Sequence, residues 1–156
     1  MPSGERADFE LPLLLVGAFR SLIDELHRAL AASGHGEARP LHGFALQAIG
    51  PHGGTISDLG RQLGVSKQAA AKTVASLERA GYVRREPDPG DGRAVRLLRT
   101  ARGAEMLALS ARFFETYRTR LTDVLGPRRL AELEDDLEQM AAPIGDYLRG
   151  LPGWLA

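Results

Sequence analysis

The chain has 156 residues, 44% hydrophobic and 26% charged, with 20 Lys/Arg balancing 20 Asp/Glu. That is the size and composition of one globular domain able to build its own core. The absence of cysteine excludes disulfides, thiolate metal sites and thiol redox chemistry.

Leu11–Phe19 is an apolar run preceded by Glu5, Asp8 and Glu10, with only Arg6 basic. A secretory leader needs a positive start, and nine residues fall short of the ~20 that span a bilayer. The run therefore reads as the buried face of a helix in a cytoplasmic protein without a membrane partner. From Leu15, the apolar positions Phe19, Leu22, Leu26 and Leu30 follow the helical period. A Gly-rich polar stretch, 31–40, reads as a loop. A short helix then covers 41–49 and stops at the breaker cluster 50–54.

Thr55, three residues before Asp58, predicts a capped helix that ends at Gly64. Ser66 caps the next helix, whose Ala70, Val74 and Leu77 share one face and which ends at Gly81. The segments 82–86 and 94–99 flank Pro87-Asp88-Pro89-Gly90-Asp91-Gly92 and predict a hairpin with a flexible tip. A long helix follows over 101–125 and is broken at Gly126-Pro127. The last helix carries Leu130, Leu133, Leu137, Met140, Ile144 and Tyr147 at alternating spacings of three and four, with a kink expected at Pro143.

Charge is distributed unevenly along this series. Residues 55–103 hold ten Lys/Arg against five acids, so the rest of the chain carries ten against fifteen. A basic middle between acidic flanks is the form a nucleic-acid footprint takes. Helix, turn, helix and Arg-rich hairpin is also the order that places one helix in a DNA major groove with a basic loop beside it. The fold class expected is mostly α with a small β-hairpin wing. Residues 41–103 would form a winged helix-turn-helix, and 1–40 with 104–156 a helical dimerisation region.

On a recognition helix the first two turns read bases, which selects Ser66, Lys67, Gln68, Lys72 and Thr73. Gln68 suits adenine and lysine suits guanine acceptors. Arg93, at the wing tip, is expected in a narrow minor groove, with Asp91 orienting it or its neighbour. Arg84 and Arg96 are expected phosphate partners, and Arg85 and Arg99 are read as phosphate partners or solvated strand charges. The expected partners are double-stranded operator DNA and a second copy of the chain.

The stretches TISDLGRQLGVSKQAAAKTVASLERAGYVRRE (55–86) and DGRAVRLLRT (91–100) resemble the MarR family of bacterial transcriptional regulators. The second matches the family's Asp-x-Arg-x-x-x-Leu-x-x-Thr through Asp91, Arg93, Leu97 and Thr100. Gly103 falls where that family has a glycine opening its long dimerisation helix. Gly60 and Arg99 depart from the usual Ala and Leu. The resemblance implies a homodimeric regulator, a repressor, with a pocket for aromatic or phenolic effectors between dimerisation helices and winged domain. Phe19, Phe44 and Phe113 are placed in sequence to line such a pocket.

Other chemistry finds little support. Gly90 and Gly92 occupy the positions where a calcium loop starting at Asp88 needs oxygen ligands. His27, His35, His42 and His52 lack metal-ligand spacing. No Gly-x-Ser-x-Gly, Walker loop or His-Glu-x-x-His is present. No enzyme activity, cofactor or metal is expected. The competing reading is a winged-helix protein-interaction module without DNA binding.

Overall fold

The computed structural model describes residues 8–141. Pro143, Ile144 and Tyr147, with the expected kink, lie outside them. Six helices and one hairpin follow in chain order: α1 (Glu10–Ala32), α2 (Pro40–Ile49), α3 (Ile56–Leu63), α4 (Lys67–Arg79), β1 (Val83–Asp88), β2 (Asp91–Arg99), α5 (Ala101–Leu125) and α6 (Pro127–Ala141). The arrangement is the expected one, mostly helical with a two-stranded antiparallel wing.

Local chemistry accounts for most of the boundaries. Thr55 Oγ1 accepts the Asp58 amide at 3.0 Å while Asp58 Oδ2 accepts the Thr55 amide at 3.2 Å, a reciprocal capping box. Gly64 ends α3 in the left-handed region, with φ +67°. Ser66 Oγ accepts the Ala69 amide at 3.1 Å and starts α4. Thr100 Oγ1 does the same for Gly103 at 3.0 Å and starts α5.

The core gathers Ile23, Leu26 and Leu30 from α1, Leu46 and Ile49 from α2, Leu59 and Leu63 from α3, and Val74 and Leu77 from α4. Tyr82, Leu97 and Met106 close it on the hairpin and α5 side. Gly60 is buried where α3 meets α4. A Cβ there would lie 3.2 Å from the Val65 carbonyl oxygen, so the glycine that weakens its helix also fits a close contact.

Three expectations need correction. First, α1 begins at Glu10, and Leu11, Leu13, Leu14, Leu15 and Val16 are exposed in the single chain. The run is helical, but its own chain does not cover it, because α1 sends fully buried residues into the core only from Ile23 onward. Second, the strands extend to Asp88 and from Asp91, which leaves a two-residue tip, Pro89-Gly90. Asp88 Oδ1 holds the Gly90 amide at 2.8 Å and Asp91 Oδ1 the Arg93 amide at 3.0 Å, so side chains satisfy backbone donors that a longer loop would leave to water. Third, Gly54 is more than a breaker. It exchanges two backbone hydrogen bonds with Leu97, at 3.1 and 2.8 Å, and docks the α2–α3 loop on β2.

The start of α5 passes very close to β1. A Cβ built on Gly103 would stand 2.3 Å from the Tyr82 carbonyl oxygen, closer than non-bonded atoms come. Gly103→Ala should therefore destabilise the fold by about 1–3 kcal/mol, as overpacking does. Urea unfolding followed by circular dichroism checks this, and an unchanged midpoint would show that the junction yields.

Candidate nucleic-acid interface

The residues expected to read bases share one end of α4. Ser66 sits at its N-cap, and Lys67, Gln68 and Lys72 are exposed on the first two turns. Thr73 is half-buried, and its hydroxyl donates to the Ala69 carbonyl at 3.3 Å. The opposite face, Ala70, Val74 and Leu77, is buried. The helix is thus anchored by its apolar stripe and turns its polar residues outward.

The wing arginines differ in their surroundings. Arg93 is exposed beside the tip, with its amide held by Asp91. The contact between the two residues runs through the Arg93 main chain. Arg84 pairs with Glu86 on its own strand. Arg96 donates to the His52 carbonyl and ties the wing to the α2–α3 loop. Arg85 reaches back to Glu78 on α4 at 3.0 Å. Arg99 donates to the Leu46 carbonyl at 2.8 Å and so caps the C-terminal end of α2. It is half-buried, since β2 lays it against that helix end.

Several residues that sequence reasoning passed over gather behind α4. His42, 2% exposed, accepts the Arg39 amide through Nδ1 at 3.2 Å. Its proton therefore sits on Nε2, which donates to Ser76 Oγ at 2.9 Å. Burial first, and the nearby Arg39 second, hold its pKa down to about 4. Tyr82 is fully buried between two histidines. Its hydroxyl shares a 3.0 Å hydrogen bond with His35 Nδ1, and the His42 ring meets its edge with centroids 5.8 Å apart. The only sequence signal for this cluster was the placing of His42 in the first turn of a short apolar helix.

Phe19, Phe44 and Phe113 each pack half-buried against the core, and Phe113 stacks on Tyr117. The cavities along α1, α2 and α4 are lined by other residues. No described helix is long and apolar enough to cross a membrane.

A family model described as MarR family matches residues 40–94, which span α2 to the start of β2. Solved structures agree over nearly the whole chain. A crystal structure titled MarR is 26% identical with a TM-score of 0.70, covering 92% of this chain and 96% of that one. A transcriptional regulator from Thermotoga maritima is also 26% identical, with a TM-score of 0.57, covering 87% and 94%. Residues 40–94 are thus similar to the MarR family, and the fold agrees with that of its solved members. FabT from Streptococcus pneumoniae, solved in complex with DNA, shares the fold at 21% identity and a TM-score of 0.75, covering 88% of this chain and 96% of its own. No curated protein matches the sequence at a significant level.

The buried His42 makes stability depend on pH. Its folded pKa lies below the ordinary value of 6.5, so the unfolded chain takes up the proton first as pH falls. The stabilisation is whole above pH 6.5 and drains away down to about 4. Its size over that window is on the order of 3 kcal/mol. Urea midpoints measured across this range for the native protein and for His42→Gln should converge as pH falls. Parallel curves would show that His42 does not titrate this way.

Proposed function

We propose that this protein is a homodimeric transcriptional regulator, a repressor, which binds a pseudo-palindromic operator in the cytoplasm. Residues 41–103 form the DNA-binding unit, and 1–40 with 104–156 the dimerisation region. The observation that carries the reading is the presence of two features together: the exposed polar end of α4 and, next in the chain, the hairpin bearing Arg84, Arg93 and Arg96. In this reading Ser66, Lys67, Gln68, Lys72 and Thr73 enter the major groove and Arg93 the adjacent minor groove. Arg84 exchanges its exposed pair with Glu86 for a phosphate at little cost, since such surface pairs contribute about 0–1 kcal/mol. Arg96 serves the wing from its bond to the loop carbonyl, and Asp91 sets the main chain at Arg93. Half-site centres lie about one helical turn apart, ~34 Å. A small aromatic effector bound beside Phe19, Phe44 and Phe113 releases the DNA.

Binding to the DNA immediately upstream of the protein's own gene, measured across a salt series, tests the reading. Affinity should fall steeply with salt. Absent or salt-independent binding would favour a winged-helix interaction module instead. Arg93→Ala should cost about 1–3 kcal/mol of affinity and flatten the log–log salt slope by roughly two units per dimer. Stability should move by no more than ~0.5 kcal/mol. Arg129→Ala removes the same charge from an exposed site on α6. Equal losses in the two variants would reduce the wing effect to net charge.

Assembly has its own test. Phe9, Leu11, Leu13, Leu14 and Val16 at one end, with Leu133, Leu137 and Met140 on α6, expose more apolar surface than scattered single residues do. Light scattering should return twice the monomer mass, and Leu14→Glu with Leu137→Glu should shift it to the monomer. A native monomer would overturn the paired half-site geometry.

A further inference from the structure

A recess of about 240 Å³ opens between the first turn of α2 and the inner flank of α4, lined by Arg39, His42, Lys72, Thr73, Ser76 and Arg79 among others. Among the described residues no carboxylate lines it, and three of the lining side chains are cations. Among the described residues, none of the three has an acid within ion-pair distance; Glu37, the acid whose charge reaches His42, is itself paired with Arg102. Like charges gathered around one concavity repel each other, and a bound anion relieves the strain.

The neutral donors point the same way. His42 gives its Nε2 proton to Ser76 Oγ, so the Ser76 hydroxyl acts as acceptor there. Its own proton then has no acceptor among the described residues and is free for a guest. The recess is smaller than the ~300–1,000 Å³ of drug-sized ligand sites. At ~30 Å³ per water, it holds a tetrahedral oxyanion with part of its hydration shell.

We infer that the recess between α2 and α4 is a binding site for a phosphate-class oxyanion, clamped by Arg39, Lys72 and Arg79 with the Ser76 hydroxyl as a neutral donor. Two sources carry this chemistry, a phosphate of the DNA backbone and a free small oxyanion. The first rests on the proposed DNA reading, because Lys72 and Thr73 belong to both surfaces. The second does not.

The test follows backbone amide NMR shifts of the full-length protein. Inorganic phosphate is titrated against chloride at matched ionic strength, and in a separate arm a DNA duplex is added. Saturable shifts centred on Leu41, His42, Thr73 and Ser76 are expected in at least one arm. Phosphate alone producing them assigns the site to a free anion, and the duplex alone assigns it to the DNA backbone. Arg79→Gln and Ser76→Ala should each weaken the effect about tenfold, the usual weight of a hydrogen bond to a charged group, whereas Arg129→Gln should not. Ser76→Ala also cuts the His42 bond, and Arg79→Gln leaves that bond intact. Duplex binding that shifts α4 and the wing but not these amides, with no response to phosphate, would overturn the site and leave the regulator reading standing. A phosphate response without duplex binding would do the reverse.

Discussion

The contact on which the rest of this structure depends is the passage of Gly103 against the main chain of Tyr82. Three elements meet there. The Tyr82 amide donates to Leu77 at the end of α4, its carbonyl accepts the Thr100 amide, and its side chain is fully buried. Thr100 caps α5 and also donates to the Gly81 carbonyl. One tight junction thus sets the directions of α4, β1 and α5 together, and a side chain at Gly103 would pry them apart.

The polar groups around that junction carry its geometry outward. A buried tyrosine hydroxyl costs stability unless bonded, and His35 supplies the partner from the α1–α2 loop. Arg102 lies over the same ring, 5.4 Å from its centroid, and donates to the Ala80 and Gly34 carbonyls. His42, at the ring edge, reaches Ser76 on α4. α4 is therefore held on both sides of its buried stripe, at Ser76 and at the Arg85–Glu78 pair.

Much of this was legible in local sequence, and particular residues show why. Thr55 with Asp58, Ser66 and Gly64 act on backbone groups within a few residues of themselves, so their spacing alone places the ends of α3 and the start of α4. The turn-rich segment 87–92 marked the hairpin, and Asp91, Arg93, Leu97 and Thr100 carried the resemblance. The short tip was less legible, because it depends on two aspartates each turning back to an amide two residues ahead, a choice that competes with solvent.

The sequence by itself determined the order and type of the elements, the apolar stripe of α4 and the resemblance carried by residues 55–100. Only the tertiary structure decided which partners Arg96 and Arg99 take within the chain. Arg96 meets a carbonyl 44 residues away and Arg99 one 53 residues away, separations at which no local pattern operates. The structure also decided that the first half of α1 stays uncovered by its own chain, and that Arg39, Lys72 and Arg79 surround one recess. Backbone capping is settled over one helical turn, whereas the partner of a long charged side chain is settled by how distant elements pack.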